Sequence, residues 1–596
     1  MTAYAAPLAD MRFVINELAD LDGVTRLPGC ADATPDLVDA VLEEAGKLAA
    51  EVLAPLNHPG DVQGCVLENG VVRTPDGFKE AYARFVEGGW NGVPFDSDYG
   101  GQNLPWLVAT AVSEIWCGAN MSFSLCPMLT QAAVEAVSLY GSDEIKAGYL
   151  AKLVSGEWSG TMDLTEPQAG SDLSQVRTKA VRDGEKVRIT GQKVFITYGE
   201  HDLAANIVHM VLARSPDGPP GIKGLSLYLV PKFLPGEDGG PGPRNDLRAV
   251  SLEHKLGINA SPTLVMSFGD DGGATGFLVG EENRGIEHMF TMMNNARLAV
   301  GLQGVGIGER AYQQARAYAR ERVQGRADDG RSVTIDYHPD VKRMLLSMKA
   351  DTEAGRALAY FVAGALDKAK RHPDAEARAD NQALVDLLVP VVKAWITDVG
   401  IETANTGVQV HGGMGYIEET GAAQHLRDAR IAAIYEGTNG IQAADLVGRK
   451  VTRDGGAAVG TLIARMTGLE KDLAAAGEAT AAIGARLADG VRALAAATDW
   501  LIDTHPTDPA AVDAGAVLYL RLMGTVVAGW LMARAALTAA RAADRGADGE
   551  GDPAFLSAKG VTARFFADQR LVQAPGLASA FMDGAAAVRA ANAEQL

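Results

Sequence analysis

One glutamate, Glu436, stands in a largely apolar stretch that reads Ile434-Tyr-Glu-Gly-Thr-Asn-Gly-Ile-Gln442, with Ile431 just before it. A carboxylate with apolar neighbours can act as a general base, because burial disfavours its charged form and raises its pKa from about 4.3 towards neutrality. A carboxylate in this setting can also cap the N-terminus of a helix. The stretch by itself leaves both interpretations open.

Two further stretches could bring backbone groups close to a ligand. The segment Asp163-Leu-Thr-Glu-Pro-Gln-Ala-Gly-Ser-Asp172 is rich in small residues, hydroxyls and turn formers, although such a loop is more often only a tight connection. The segment Gln409-Val-His-Gly-Gly-Met-Gly-Tyr416 contains three glycines, which let the backbone approach a phosphate or a ring closely. Both segments are candidate binding loops.

A third stretch, Gly191-Gln-Lys-Val-Phe-Ile-Thr197, has the β-branched and aromatic composition of a strand. An aromatic residue beside a threonine in such a strand usually belongs to the protein core. On its own, this stretch therefore predicts structure and not a site.

Together, and in this order, the stretches resemble the acyl-CoA dehydrogenase family over roughly residues 35 to 450. The spacing from Gln409 to Glu436 matches the family's C-terminal signature without a gap. The resemblance implies an FAD-dependent enzyme that removes an α-proton and a β-hydride from an acyl-CoA thioester. It implies that Glu436 is the base, with its own backbone N–H and a ribityl hydroxyl of FAD stabilising the enolate-like oxygen.

The resemblance also implies which residues contact FAD and the acyl-CoA. The predicted FAD contacts are Met162, Leu164, Thr165, Gly170, Ser171, Phe195, Thr197, Arg322, Gln324, Gln409, Gly412, Gly413 and Thr438. The predicted acyl-CoA contacts are Ser171, Asn294, Arg297, Tyr435 and Gly437.

Among the FAD contacts, Phe195 and Thr197 would flank the flavin ring, and the Thr197 hydroxyl would bond flavin N5. Arg322 would cross to the FAD pyrophosphate of a neighbouring subunit, where the backbone from Gln409 to Gly413 would receive the same phosphates. The resemblance therefore implies an oligomer, at least a homodimer, because a monomer would leave each cofactor half-bound.

Several positions depart from the family pattern. Relatives of the isovaleryl type carry the base just before the arginine of another helix, and that position is Ala296 here, which leaves Glu436 as the base. Phe195 stands where tryptophan is usual, and Gly440 stands where other members have glutamine. A glutamine that often follows a histidine is replaced at His338-Pro339, which removes one expected FAD contact.

The elements that must position these residues change character along the chain. Residues 1–158 are predicted to be mostly helical, residues 159–282 contain short alternating strands between Pro/Gly turns, and residues 283–455 return to long helical periodicity. An alanine-rich helical region, 456–596, follows, with a polar loop over 543–552. We expect an α+β protein with the acyl-CoA dehydrogenase fold: an N-terminal helical domain, an antiparallel, barrel-like β-domain, a four-helix bundle and an extra helical domain.

The overall composition is that of a soluble globular protein, with 596 residues, 47% apolar and 22% charged residues, and a net charge of −21. This charge disfavours nucleic acid and anionic membrane as partners. A DNA-associated branch of the family also carries a C-terminal helical extension. Residues 461–596 hold 12 Lys and Arg against 15 Asp and Glu, so the extension lacks the basic face that DNA requires.

The remaining features of the sequence predict a cytoplasmic protein. The N-terminus does not resemble a signal peptide, and the apolar stretch 517–530, interrupted by Arg521, is predicted to be too short and too charged to span a membrane. The four cysteines have no metal-ligand spacing, so we expect reduced thiols and no metal site.

Segments outside the general signature resemble a group of family members about as long as this chain; they are 4–13, 68–75, 251–257 and 292–298. That resemblance implies conversion of 3-(methylthio)propanoyl-CoA to 3-(methylthio)acryloyl-CoA in dimethylsulfoniopropionate breakdown, with an electron-transfer flavoprotein as acceptor. Alternatives remain open: a short-, medium- or long-chain fatty acyl-CoA as substrate, an acyl-CoA oxidase, or a non-catalytic binding protein on the same fold.

Overall fold

A computed structural model describes residues 3–544 and 552–595. The chain forms two compact units, one comprising residues 1–44, 105–114 and 300–596, the other comprising residues 45–104 and 115–299. We call the first the helical unit and the second the strand-rich unit. The polar loop predicted over 543–552 lies mostly outside the described residues. The predicted domain boundaries at 158, 282 and 455 stay predictions.

Helices make up most of the chain. In chain order they are α1 Leu8–Phe13, α2 Leu21–Thr25, α3 Pro35–Leu48, α4 Ala54–Gln63, α5 Phe78–Glu87, α6 Trp106–Ala119, α7 Met121–Tyr140, α8 Asp143–Ile145, α9 Ala151–Ser155, α10 Gly285–Glu321, α11 Pro339–Arg371, α12 Ala375–His411, α13 Ala422–Ala429, α14 Asn439–Asp445, α15 Ala457–Thr467, α16 Glu470–Ala475, α17 Glu478–Thr504, α18 Pro509–Asp544, α19 Pro553–Gln569, α20 Ala574–Asp583 and α21 Ala585–Ala590.

Strands are concentrated between residues 158 and 279. They are β1 Val66–Glu68, β2 Val71–Arg73, β3 Trp158–Asp163, β4 Lys179–Asp183, β5 Lys186–Thr197, β6 Asn206–Arg214, β7 Leu225–Pro231, β8 Phe233–Pro235, β9 Pro241–Arg244, β10 Leu247–Leu252, β11 Thr263–Phe268, β12 Ala274–Val279, β13 Val323–Arg326 and β14 Ser332–Thr334. The main sheet has eight strands in the order β10-β11-β5-β12-β7-β6-β3, and β4 pairs with both β5 and β6.

The prediction of a purely antiparallel β-domain is wrong in one respect. β3 and β6 pair in parallel over residues 158–163 and 206–211, and β4 meets β6 in parallel as well. Parallel neighbours need a long connection, and here β4 and β5 lie in the chain between β3 and β6. The local alternation of side chains shows where a strand is, but not which strand pairs with it.

β5 begins before the stretch Gly191–Thr197 and runs through Gly191 without a break. Its first half pairs with β4 and β12, and its second half pairs with β11. At Gly191 an added Cβ would lie 2.4 Å from the Thr178 hydroxyl oxygen, so glycine permits the close approach at which the strand changes partners. The second half of β5 carries Phe195 and Thr197.

α18 is longer than the apolar stretch suggested. The helix runs for 36 residues, and among the described residues it alone is long and apolar enough to cross a membrane by length and composition. The prediction that this stretch is too short is therefore wrong. However, 83% of its most apolar window is buried inside the protein, as expected for a core helix of a large helical unit.

A buried ionic cluster in the helical unit connects distant parts of the chain. The guanidinium of Arg356 donates to Glu114, with Nη2 2.7 Å from Oε1, and also to Asp10. The ammonium of Lys559, on α19, pairs with Asp10 and lies 2.8 Å from Glu353 Oε2. Burial alone would raise the pKa of Asp10, but Lys559 and Arg356 lower it to about 2. The cluster thus ties α19 to α1 and α11.

Candidate active site

The loop around Glu436 has an unusual backbone. Glu436 has φ +57° and Gly437 has φ +84°, so two successive residues are left-handed. Non-glycine residues adopt this conformation at a cost of about 1–2 kcal/mol, and such strain often accompanies function. The N-cap of α14 is Thr438, whose hydroxyl oxygen accepts a hydrogen bond from Ile441 N at 3.2 Å. Capping is therefore the role of Thr438, and the alternative interpretation of Glu436 as the cap is wrong.

The same loop is anchored by side chains from other helices. The fully buried ammonium of Lys393, on α12, donates to the carbonyl oxygen of Gly437 and to Asn439 Oδ1, both at 2.8 Å. The Tyr435 hydroxyl donates to Gln303 Oε1. A hydrogen bond from a charged group contributes about 1.5–3 kcal/mol. One such bond is thus enough to offset the strain at Glu436.

Glu436 and its apolar neighbours are buried only in part. Ile434 is 47% exposed, and Ile431, Tyr435 and Glu436 are half-buried. Ile434 is exposed because it lies on the short irregular connection before α14 and not on a packed helix face. The raised pKa of the Glu436 carboxyl therefore stays a prediction.

In the strand-rich unit, Phe195 is an exposed aromatic residue in a strained conformation. It has φ +61°, and 64% of the residue is accessible. The register between β5 and β11 shifts at this point, so that Val194 and Phe195 together oppose the single residue Val265. A bulge re-aims a side chain out of the regular alternation. The core interpretation of Phe195 is thus wrong, while Thr197 beyond the bulge is half-buried.

The loop that follows β3 is held against β5 by a buried ion pair that the sequence did not reveal. The ammonium of Lys193 lies 2.8 Å from Glu166 Oε1 and donates to the carbonyl oxygen of Leu164 at 2.9 Å. Val194 N donates to the carbonyl oxygen of Thr165 at 2.9 Å. These bonds fix the backbone of two predicted flavin contacts, Leu164 and Thr165. Glu166 lies in the segment Asp163–Asp172 and Lys193 lies in the stretch Gly191–Thr197, but the sequence near either residue does not indicate that the two form a pair.

The pair also sets the protonation of Glu166. Burial alone would raise the pKa of this carboxyl, but the ammonium of Lys193 and hydrogen bonds from Thr178 and Arg177 lower it to about 2. The side chain is therefore an anion at neutral pH. Nearby in the chain, Met162 is buried at the end of β3, whereas Gly170 and Ser171 are exposed.

Two predicted FAD contacts, Arg322 and Gln324, lie at the start of the hairpin formed by β13 and β14. Arg322 directly follows α10, and both side chains are exposed. The ring Nε2 of His338 lies 2.8 Å from the carbonyl oxygen of Gln324, which pins the hairpin to the start of α11. Pro339 occupies the first turn of α11, where proline suits the helix. At His338-Pro339, where the sequence departs from the family pattern, the histidine thus contacts the hairpin and the proline begins α11.

The glycine loop follows the C-terminal end of α12. Gln409 belongs to the last turn of the helix, and Gly412 and Gly413 are exposed. Gly412 has φ +60° and ψ −139°, which only glycine adopts readily. Gln409 also lines a cavity of about 370 Å³, together with Arg343, Met344, Ser347, Glu402, Asn405, Thr406 and Arg570.

The predicted acyl-CoA contacts divide between the two units. Ser171 and Arg297 belong to the strand-rich unit, and Tyr435 and Gly437 belong to the base loop of the helical unit. The Arg297 side chain is buried, with its guanidinium carbon 5.8 Å from the centre of the Phe290 ring. The side chain of Asn294 lies outside the described residues.

Four domain families match the chain in order. Residues 38–157 match the acyl-CoA dehydrogenase N-terminal domain, residues 161–271 match its middle domain, and residues 283–451 match its C-terminal domain. Residues 462–592 match the acetyl-CoA dehydrogenase C-terminal like domain. The chain belongs to the acyl-CoA dehydrogenase family. The predicted fold class, with an extra C-terminal domain, is confirmed.

Curated relatives of similar length support the same assignment. The chain is 51% identical over 574 residues to 3-methylmercaptopropionyl-CoA dehydrogenase of Ruegeria pomeroyi, covering 96% of both chains. It is 36% identical over 592 residues to broad-specificity linear acyl-CoA dehydrogenase FadE5 of Mycobacterium tuberculosis, covering 95% of both chains. The expectation of an acyl-CoA dehydrogenase, an oxidoreductase, is confirmed.

The fold is also similar to that of an acyl-CoA dehydrogenase from Bacillus anthracis whose crystal structure is complexed with FAD. The similarity covers 96% of this chain and 91% of that chain, with a TM-score of 0.74 and 19% identity. Since acyl-CoA dehydrogenases are FAD-dependent, the predicted cofactor is confirmed at the level of the family.

Proposed function

We propose that the protein oxidises 3-(methylthio)propanoyl-CoA to 3-(methylthio)acryloyl-CoA, with Glu436 as the base. The observation that carries the chemistry is the Glu436 loop, in which a left-handed glutamate is held by anchored neighbours and relieved of the capping role by Thr438. The substrate is supported by the 51% identity, over nearly the full length, to 3-methylmercaptopropionyl-CoA dehydrogenase.

The chain's own residues perform the proton chemistry in this proposal. The Glu436 carboxylate removes the α-proton of the thioester, and the Glu436 backbone N–H stabilises the charge that develops on the thioester oxygen. Bound FAD supplies the acceptor for the β-hydride. Tyr435 and Gly437 line the acyl chain beside the base, and Ser171, Asn294 and Arg297 contact the CoA portion.

The residues present fit FAD. Phe195 offers an exposed aromatic face on a bulge, the Thr197 hydroxyl lies two residues further along β5, and the loop of Leu164 and Thr165 is held rigidly beside that strand. An aromatic face and a fixed polar backbone suit a flavin ring. Met162, Gly170 and Ser171 complete the contacts from this loop, and Thr438 contributes from the base loop.

Homodimer formation is part of the same proposal. The exposed side chains of Arg322 and Gln324, and the exposed backbone of Gly412 and Gly413, would receive the FAD pyrophosphate of a neighbouring subunit. Exposed arginine and glycine backbone are suitable phosphate ligands. An electron-transfer flavoprotein is the proposed electron acceptor.

The function can be tested by anaerobic reduction of the bound flavin, followed by its visible absorbance. We expect faster reduction by 3-(methylthio)propanoyl-CoA than by butanoyl-CoA or octanoyl-CoA, although single methylenes discriminate weakly. Equal or faster reduction by the straight-chain thioesters would favour the second candidate, a broad linear acyl-CoA dehydrogenase, which the 36% identity to such an enzyme supports.

Three controls separate the remaining alternatives. Glu436→Gln should abolish flavin reduction by every thioester, and unimpaired reduction would contradict the base assignment. Reoxidation by oxygen as fast as by an electron-transfer flavoprotein would indicate an oxidase. A preparation without flavin absorbance would indicate a binding protein.

A further inference from the structure

Lys393 is a buried charge that touches the base loop from another helix. It lies on α12, 44 residues before Gly437, and its side chain has no accessible surface. Its ammonium donates to the Gly437 carbonyl oxygen and to Asn439 Oδ1, both at 2.8 Å. These two bonds bracket Thr438, so Lys393 holds both ends of the short connection from Glu436 to α14.

Asn439 passes this restraint on to the body of α12. Its Nδ2 donates to Asp398 Oδ1 at 2.7 Å and to the Ala394 carbonyl oxygen at 3.1 Å. Lys393, Ala394 and Asp398 lie within two turns of the same helix. The loop is therefore fastened to one rigid element by a charge-assisted hydrogen bond and by a bridging amide.

Packing alone does not require an ammonium at this position. Burying a charged group is unfavourable unless hydrogen bonds compensate it, and a methionine would fill a similar volume without that penalty. Lys559 illustrates the purely structural alternative, because its ammonium pairs with the carboxylates of Asp10 and Glu353 and not with the base loop. Two hydrogen bonds of Lys393 are instead made to the base loop, at the Gly437 carbonyl oxygen and at Asn439 Oδ1.

We propose that Lys393 is a positioning residue for Glu436. By holding Gly437 and Asn439, it keeps the left-handed pair Glu436–Gly437 in the conformation from which the carboxylate reaches the α-carbon of the substrate. The inference rests on the proposed function, since it requires Glu436 to be the base. A misplacement of about 1 Å at a reacting group costs about 100-fold in rate.

The test is the reductive half-reaction of the FAD-loaded protein, measured by stopped flow with 3-(methylthio)propanoyl-CoA and, alongside, with butanoyl-CoA. We expect Lys393→Met to lower the rate constant of flavin reduction about 100-fold, with bound FAD per chain unchanged and half-saturation by acyl-CoA changed by less than about 3-fold. The isotope effect of α-dideuterated substrate should rise in the variant, because proton removal becomes more rate-limiting.

A matched control distinguishes positioning from general destabilisation. Lys559→Met also removes a buried ammonium from the helical unit, and it should lower the amplitude of the reaction, through loss of folded protein, without changing its rate constant. If Lys393→Met does not fold, Asn439→Ala takes its place, because it removes one acceptor of Lys393 and the link to Asp398. We expect flavin reduction to be about 10-fold slower in that variant. The loss is smaller because the hydrogen bond from Lys393 to Gly437 remains.

The outcomes separate this inference from the function on which it rests. Reduction at the parental rate constant in Lys393→Met, or in Asn439→Ala when that variant replaces it, overturns the positioning role. If Glu436→Gln is inactive in the same experiment, the base assignment survives that result. If Glu436→Gln also reacts at the parental rate constant, the base assignment fails and the inference fails with it.

Discussion

At the residue scale, two of the residues with a left-handed backbone carry the side chains with the clearest chemical meaning. Glu436 and Phe195 are both left-handed, and neither is buried in the core. Left-handed non-glycine residues persist only where their surroundings compensate the strain. Lys393 and Tyr435 supply that support at the base loop, and the bulge of β5 supplies it at Phe195.

Gly437 should be intolerant of a side chain. At φ +84°, an alanine costs about 1–2 kcal/mol, so Gly437→Ala should either lower the free energy of unfolding by that amount or shift the base loop and slow flavin reduction. The matched control is Gly440→Ala in α14, where the added Cβ meets nothing nearer than 3.8 Å. This substitution should raise the free energy of unfolding by about 0.4–1 kcal/mol. Chemical denaturation measures both; equal effects would contradict the prediction.

Phe195 should matter for FAD and not for stability. Because the residue is 64% exposed, Phe195→Ala should change the free energy of unfolding by less than about 0.5 kcal/mol. Loss of an aromatic stacking contact should weaken FAD binding about 3- to 10-fold, as measured by titrating the apoprotein. Leu256→Ala, at a residue 65% exposed in the same unit, should leave FAD affinity unchanged. Equal FAD affinity in Phe195→Ala and the parent would argue against the stacking role.

At the element scale, the candidate site depends on how strands and helices hold loops. The pair Glu166–Lys193 fastens the loop after β3 to β5, and Lys393 fastens the loop before α14 to α12. In both cases a buried lysine binds a backbone carbonyl of the functional loop. The buried lysines therefore fix the backbones of these two loops, while residues on the opposite side of each loop stay accessible to a ligand.

The acid stability of the protein should depend on Glu166. The pKa of its carboxyl falls from 4.5 to about 2 on folding, so the pair contributes stability above pH 4.5 that is lost as the pH falls towards 2. Glu166→Gln should remove this part of the pH dependence of stability. It should also lower the free energy of unfolding by about 3–5 kcal/mol at neutral pH, because the ammonium of Lys193 is left buried without the Glu166 carboxylate. Unfolding midpoints between pH 2 and 7 provide the measurement. Glu185→Gln, at an exposed glutamate, should follow the parent curve; identical curves for Glu166→Gln and the parent would refute the assignment.

At the scale of the whole molecule, the C-terminal helices belong to the same compact unit as residues 1–44 and helices α11 to α14. Lys559 on α19 joins Asp10 on α1 and Glu353 on α11, and Arg570 pairs with Asp351 at 2.6 Å. The extra domain is thus not a loosely tethered appendage of the helical unit. Buried charges form the connection, and each depends on the others for compensation.

This cluster predicts non-additive stability changes. Lys559→Met and Asp10→Asn should each lower the thermal unfolding midpoint, since breaking a buried pair costs about 3–5 kcal/mol. The double variant should be less destabilised than the sum of the two, because the second substitution removes a group that the first left unpaired. Arg541→Ala, which breaks an exposed pair with Asp472, should cost less than about 1 kcal/mol. Additive effects of the first two substitutions would contradict coupling through the cluster.

Much of this molecule could be predicted from local sequence. The family and its FAD dependence follow from a resemblance that short motifs carry, and the order of helical and strand-rich regions follows from local periodicity. Glu436 is singled out by its register with Gln409 and by alanine at position 296. These features depend on residue types and their spacing, and each can therefore be recognised from the order of residues alone.

Only the tertiary structure decided how those residues are held. The parallel pairing of β3 with β6, the pair of Glu166 with Lys193 and the contact of Lys393 with Gly437 all join residues far apart in sequence. The left-handed backbone at Glu436 and Phe195 depends on such contacts, because local preferences disfavour it. The sequence by itself determined which groups can do the chemistry, and long-range packing decided the conformations in which they are presented.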